Sequence, residues 1–446
     1  MAGLGLSESC SSINQLIPLL RNALYMSVSN YRCSHLAIPI DVQLASVTVP
    51  KVLNFRPDNL TRNVLSHSSS EEIRTLATAL IKEKMDNHHM VIFSGWRATH
   101  LGSALQDIAE FLRVPIITSY DGKGTVNEAH ENSFGVAGMY GFVGGGRSHT
   151  VMENCDVVVT VCLPDLSKAL ANKNDMQVRR LIQIETDLVA GDTSRYIATH
   201  SFESHDLKHC LPLVLEAMKK EKEAMKLVFE CGFGDRHKKR LSVMPTQMFP
   251  AKEGTCHPGI FFQNMSYCLK DDAILCADIG DNALWMASGV VATKGQRTLT
   301  SEHMGIMGFS LNAALAASIS TDGKRQVLAV AGDGGFQMSL NELATLKDHG
   351  CKNVLVVIIV NGRLGRVNNE SWGPGLRGDG CSIGSPDFVK LFEAYGYPNG
   401  KHLTTSDDKE IEKAITEGWE LASSQGVAVL VVVRYYYYHY FMLKQL

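Results

Sequence analysis

Short apolar runs separated by amphipathic stretches recur along most of the chain. Met90 to Ser94, Val114 to Thr118, Val157 to Val161 and Leu181 to Ile184 form one set of runs; Ala273 to Cys276, Gln326 to Val330, Val354 to Val360 and Ala428 to Val433 form a second. Each has the length of a strand and is apolar at consecutive positions, the pattern of a strand buried on both faces. Helical spacing fills the intervals. Ser70-Glu71-Glu72 opens a helix to about Met85, Leu101 to Leu112 follows, and His149 to Glu153 starts another; further helices are predicted at about 310 to 320, 337 to 349, 387 to 395 and 408 to 424. This rhythm predicts parallel sheets covered by helices on both sides. The expected class is α/β, with two parallel-sheet domains.

The remaining segments divide the chain further. Residues 1–45 hold one helical stretch, Ile13 to Val28, and one apolar strand, His35 to Ile40. That is too little to bury a core of its own, so it is expected to be the C-terminal remnant of a larger domain. Residues 46–69, with Pro50, Pro57 and Asn59 followed by Ser66, Ser68 and Ser69, have loop composition and read as a linker. The first α/β domain is expected at 70–225, ending in a charged helix from about Leu213 to Glu230, and the second at 245–434. The run Tyr435 to Tyr438 opens a compositionally odd tail, 435–446.

A chain of 446 residues suits two or three domains. Its formal net charge of −3 gives no long-range attraction to nucleic acid or an anionic membrane, and the basic run Arg236-His237-Lys238-Lys239-Arg240 is short enough to be a solvated linker. Eleven cysteines are scattered singly, without a C-x-x-C pair or zinc spacing, as expected of reduced thiols in a cytoplasmic protein. The opening residues, Met1 to Ser9, show no basic region followed by an apolar core. The longest aliphatic runs fall well short of the ~20 residues that cross a bilayer. A soluble protein is expected, with partners neither nucleic acid nor membrane.

Candidate chemistry lies where one buried run ends. Val327 to Ala331 leads into Gly332-Asp333-Gly334-Gly335-Phe336; a helix and the run Val354 to Val360 follow, and that run ends in Asn361-Gly362. A strand of this kind delivers Asp333 to the carboxyl edge of a parallel sheet, where open α/β sheets bind ligands. The flanking glycines allow close approach of a ligand, and the helix from about Phe336 turns its free N–H groups toward an anion such as a diphosphate. A carboxylate and a carboxamide oxygen are hard donors suited to Mg²⁺ shared with phosphates, and no soft donor accompanies them. The loop lacks G-x-G-x-x-G and the chain lacks G-x-x-x-x-G-K-[ST], which removes the usual dinucleotide and Walker readings.

The stretch Gly332-Asp-Gly-Gly-Phe-Gln-Met-Ser-Leu-Asn-Glu-Leu-Ala-Thr345, with Val360-Asn-Gly-Arg-Leu-Gly365, resembles the diphosphate-binding motif of thiamine diphosphate (ThDP) enzymes of the acetolactate synthase and pyruvate oxidase type. The resemblance implies Mg²⁺ held by Asp333, Asn361 and the main-chain carbonyl of Arg363, with Gly332, Gly334 and Gly335 beside the diphosphate. Ala277-Asp-Ile-Gly-Asp-Asn-Ala-Leu-Trp285 resembles the loop that receives the diphosphate from the other side, through Gly280, Asp281 and Asn282. Gly305-Ile-Met-Gly308 resembles the segment under the cofactor's bend, which implies that Gly305 meets the aminopyrimidine and Met307 wedges between the rings. Tyr120-Asp-Gly-Lys-Gly124 and Gly138-Met-Tyr-Gly141 resemble the family's central domain. His35-Leu-Ala-Ile-Pro-Ile-Asp-Val-Gln43 resembles the last strand of its pyrimidine-binding domain, most of which is expected to be missing.

By resemblance the chemistry is decarboxylation of a small 2-keto acid, or C–C lyase or transferase chemistry, through a ThDP ylid. The family's activating Glu belongs to the pyrimidine domain, so no catalytic residue is assigned here. Glu8 stands in the wrong context, and Glu302 and His303 stand where small residues are usual. The expectation is therefore divided between an acetolactate synthase-like enzyme and an inactive truncated homologue that keeps the Mg-diphosphate pocket. Pyruvate oxidase-like and 2-hydroxyacyl-CoA lyase-like activities are alternatives within the first reading. A homo-oligomer, or a partner chain supplying the pyrimidine domain, is implied; FAD is possible in the family, but Gly144-Gly-Gly146 alone does not predict it.

Overall fold

Apolar runs become buried strands in two six-stranded parallel sheets. The computed structural model describes residues 6–30, 33–46, 68–86, 88–137, 147–163, 166, 180–186, 198–227, 229, 253–293, 295–301, 304–372, 378–398 and 400–433. The basic run at 236–240, the tail from 435 and most of the 46–69 segment lie outside them.

At the N-terminal end, β1 (Leu6–Ser9) pairs in parallel with β2 (Ser34–Ala37), and the helix Ile13–Asn30 joins them. Only Cys10, Ala23 and Val42 are buried among the described hydrophobic residues of this unit. The sequence pattern indicated the helix and β2. It did not indicate β1, whose four residues, Leu-Ser-Glu-Ser, carry no apolar run.

The first large sheet comprises β3 (Met90–Ser94), β4 (Ile116–Thr118), β5 (Ser133–Val136), β6 (Val157–Val161), β7 (Arg180–Glu185) and β8 (His200–Glu203), in the order β5-β4-β3-β6-β7-β8. Alternate residues of its strands face two cores. Ile92, Val159 and Ile182 pack with the helices Ser70–Met85, Gly102–Leu112 and Leu207–Met225, whereas Val91, Phe93 and Val158 pack with Val151 and Met152 on the other face. The charged helix begins at Leu207 rather than near Leu213 because Asp206 caps it, accepting from His209 N at 3.2 Å.

The second sheet comprises β9 (Ile274–Ala277), β10 (Arg297–Thr300), β11 (Val327–Gly332), β12 (Val354–Val360), β13 (Lys401–Leu403) and β14 (Val427–Val433), in the order β10-β9-β11-β12-β14-β13. Helices Pro258–Cys268, Asp281–Gly289 and Asp408–Gln425 cover one face, with Phe261, Phe262, Trp285 and Ile415 against Leu328, Val330 and Leu355. The helix Phe309–Ser320 and the Phe336, Phe388 and Phe392 rings cover the other. From β9 the chain moves outward to β10, then crosses back to β11 and continues to β12. The carboxyl ends of β9 and β11 therefore flank a point where the connections diverge, the usual crevice for a ligand in an open α/β sheet.

A buried ion pair ties the two sheets together. Lys123 Nζ lies 2.6 Å from Glu128 Oε2 and donates to Ala287 O at 3.1 Å, while Glu128 Oε2 accepts from Ala292 N at 2.8 Å. Arg297 adds bonds to the carbonyls of Gly124 and Thr99. Among the described residues no helix is long and apolar enough to cross a membrane, and no described cysteine is in a disulfide.

Candidate functional site

Four chain segments converge at the β9/β11 crevice and enclose a cavity of about 260 Å³. β9 leads directly into Asp278, and Gly280 turns the chain into the helix Asp281–Gly289. The turn has φ +115° and ψ −165°, which a residue with a Cβ rarely adopts. The second segment is the turn Gly305 to Gly308, the third is Gly332 to Gly335 at the end of β11, and the fourth runs from Asn361 at the end of β12 into the helix Gly365–Trp372. All eleven residues singled out from the sequence line this cavity: Gly280, Asp281 and Asn282; Gly305 and Met307; Gly332, Asp333, Gly334 and Gly335; Asn361 and Arg363.

Asp333 is 1% exposed and acts as the hub of the third and fourth segments. Its Oδ2 accepts from Gly362 N at 2.7 Å, Asn361 N at 3.3 Å and Ser385 Oγ at 2.6 Å, and its Oδ1 accepts from Gly334 N at 3.1 Å. Asn361 Oδ1 accepts from Arg363 N at 2.9 Å, folding the chain so that the Arg363 backbone comes back beside the Asn side chain. Three oxygen-bearing residues are thus held on one short loop pair. Among the described residues no group of three or more His, Cys, Asp or Glu side chains gathers to hold a metal. A cation here would take much of its shell from a ligand or water, which suits Mg²⁺ with phosphates.

The glycines set the cavity's width. A Cβ at Gly365 would stand 3.0 Å from Asn361 Nδ2 and 3.1 Å from Asp281 Oδ2, and one at Gly334 would stand 3.0 Å from Ile383 and Leu364. The Asp281 carboxylate turns toward the helix Gly365–Trp372, accepting from Asn369 Nδ2 at 3.5 Å; Asn282 Nδ2 donates to Val330 O at 3.3 Å. Ile279, Ile359, Leu364 and Val367 add apolar wall, and Gly365 and Arg366 complete the lining.

The helix expected at about 337 to 349 is two helices. A short one, Asp333–Gln337, begins at the Asp itself, and Glu342–Asp348 follows. Gly332 is extended (φ −78°, ψ 162°), so the strand passes into helix at the next residue without a connecting loop.

Two residues at the site went unassigned in the sequence. Ser385 reaches Asp333 from a loop 52 positions away, which no local pattern announces. Asp278 is fully buried behind the cavity; burial pushes its carboxyl up to about 6, against the opposing pull of N–H groups at Ile279, Gly308, Phe309 and Ser310. A signal for it was available, an acid closing a buried strand. Glu302 and His303, the stretch Gly138 to Gly141 and the glycines 144–146 lie outside the described residues.

Comparisons with known proteins agree with this layout. The family model described as thiamine pyrophosphate enzyme, central domain, matches residues 73–200, and that described as thiamine pyrophosphate enzyme, C-terminal TPP binding domain, matches residues 278–432. The acetolactate synthase large subunit of Lactococcus lactis subsp. lactis (strain IL1403) is 26% identical over 360 residues, covering 78% of this chain and 59% of that protein. The probable acetolactate synthase large subunit of Methanocaldococcus jannaschii is 27% identical over 340 residues, covering 73% and 55%. Acetolactate synthase isozyme 2 large subunit of Escherichia coli (strain K12) is 22% identical over 424 residues, covering 91% and 71%. The chain thus spans little more than half the length of the first two of these relatives. With two successive domains of one enzyme family matched along it, and the cavity lying in the second, the chain belongs to the thiamine pyrophosphate enzymes of the acetolactate synthase type.

Proposed function

We propose that this chain binds Mg²⁺ and thiamine diphosphate at the β9/β11 crevice and provides the diphosphate-binding part of a site for 2-keto acid chemistry. The observation that carries this reading is the Asp333 hub: a buried carboxylate bonded to the Asn361-Gly362 turn, with the Arg363 backbone folded beside it. Asp333, Asn361 and the Arg363 carbonyl are the proposed metal donors. Gly332, Gly334 and Gly335 face one side of the diphosphate in this reading, and Gly280 with the backbone at the start of Asp281–Gly289 faces the other, where helix N–H groups favour an anion. Since the Asp281 and Asn282 side chains are engaged with protein groups, their backbone is the proposed contact. Gly305 and Met307 would support the rings.

When bound, thiamine diphosphate supplies an electron sink for cleaving the bond beside a keto carbon. The chain's own residues hold the diphosphate end and exclude water with Ile279, Leu364 and Val367. They also fix the ring end through the Met307 turn. No glutamate lies on the cavity wall among the described residues. Proton activation therefore comes, in this reading, from a glutamate carried elsewhere, in a pyrimidine-binding domain of the same protein or of a partner subunit, and a homo-oligomer is the simplest assembly. The same observation favours a second reading, in which the described domains by themselves bind the cofactor without turnover; losing a general acid–base group typically costs ~10²- to 10⁴-fold.

Titrating the purified chain with thiamine diphosphate, with Mg²⁺ and then with a chelator, tests the proposal. Saturable binding that needs the metal is expected. Binding unaffected by the chelator would remove the metal role, and no binding in either condition would remove the proposal. Carbon dioxide release from pyruvate, with and without an added pyrimidine-domain chain, separates the two readings.

A further inference from the structure

Asp278 lies outside the set of proposed donors, yet three of the four cavity segments meet on it. Its carboxylate accepts from Ile279 N at 2.8 Å, fixing the start of the Gly280 loop. Gly308 N donates to both of its oxygens, at 3.0 and 2.9 Å, and N–H groups of Phe309 and Ser310 point at it as well. The carboxylate thereby satisfies donors at the start of the helix Phe309–Ser320, whose own cap residue, Gly308, has no side chain to do so. Gly308 is left-handed (φ +85°), and the turn it ends carries Met307 into the cavity. On the third side, a Cβ at Gly335 would stand 2.8 Å from Asp278 Oδ2, so the Gly332–Gly335 loop rests directly against the carboxylate. Its own N–H donates to Val330 O at 2.8 Å, anchoring it to β11.

We propose that Asp278 is a positioning residue that joins these three segments and sets where the Met307 turn stands relative to the diphosphate loops. The inference rests on the cofactor reading above and adds a residue that touches neither metal nor diphosphate. A carboxylate is needed because an Asn would oppose one of its N–H groups to donors that now meet oxygen, and a mispaired buried donor is costly.

The test compares two ligands on the whole chain: Mg²⁺ with thiamine diphosphate, which needs both the Met307 turn and the diphosphate loops, and Mg²⁺ with inorganic diphosphate, which needs only the loops. Asp278→Asn is expected to weaken the first by about tenfold and the second by less than about twofold, the order of one lost buried hydrogen bond. Asp278→Glu, which keeps a carboxylate but shifts it by one methylene, is expected to show the same selectivity, and it carries the test if Asp278→Asn loses its far-ultraviolet circular dichroism. A purely structural role would lower both affinities together, and that result overturns the proposal. So does wild-type affinity for thiamine diphosphate in a folded variant. Failure of the wild-type chain to bind either ligand is a different outcome and sinks the cofactor reading itself.

Discussion

Breaking the buried Lys123–Glu128 pair should loosen the two sheet domains from each other. The side chains are 1% and 2% exposed. Lys123 Nζ makes bonds of 2.8 and 2.6 Å to the two carboxylate oxygens and one of 3.1 Å to Ala287 O, at the far end of the helix that begins at the cavity. Lys123→Met would leave the Glu128 carboxylate buried with the main-chain N–H of Ala292 donating to it but no cation beside it. Removing one member of such a pair costs about 3–5 kcal/mol, mainly through the uncompensated charge. Glu128→Gln should be costly for the same reason, with an ammonium left behind. The double variant carries no buried charge, and its amide oxygen can still accept from Ala292. It should therefore be more stable than the sum of the single losses allows, with a coupling of about 0.5–3 kcal/mol. Urea unfolding followed by circular dichroism and tryptophan fluorescence measures this, and separation of the two domains' transitions in the single variants is expected. Single variants within about 1 kcal/mol of wild type, or strictly additive losses, would refute the reasoning.

Other outcomes follow from the same contacts. The Asp278 carboxyl is raised from 3.8 to about 6 by burial, so the folded chain binds its proton more tightly than the unfolded one. The associated stability is complete below 3.8 and is lost as pH rises through 6, about 3 kcal/mol for some two units; the stability difference between wild type and Asp278→Asn, measured in urea from pH 4 to 7, should fall by that order. A methyl at Gly102 would sit 1.7 Å from Thr125 O; Gly102→Ala should cost about 3 kcal/mol in urea unfolding, because the obstacle is backbone. Ser69 and Glu72 form a reciprocal cap on the helix Ser70–Met85; Ser69→Ala should lower the central domain's stability by about 1 kcal/mol in the same assay.

The interior of both sheets was legible in the sequence, and their edges were not. Val354 to Val360 was read with the limits the structure gives it, because a strand with neighbours on both sides and helices on both faces must be apolar at every position. The four edge strands, β5, β8, β10 and β13, were all missed. Their residues, such as Arg297-Thr-Leu-Thr and Lys401-His-Leu, include polar groups because one flank has no strand to pair with. At the cavity, the Asp333 and Asn361 segments could be found because strand ends and glycines mark them locally. Ser385 could not, since its approach to Asp333 depends on how a distant loop folds. Asp278 was visible as an acid, but its partners at Gly308 and Gly335 belong to segments 30 and 57 residues further on, and spacing carries no record of that meeting.

The central claim concerns one carboxylate. Isothermal titration calorimetry of thiamine diphosphate into the Mg²⁺-containing chain, wild type against Asp333→Ala, tests it most directly. The account predicts a saturable heat for wild type that is lost or weakened by at least about two orders of magnitude in the variant, since removing even a partner behind a metal's donors typically costs about 10- to 100-fold. Identical heats from the two proteins would contradict it.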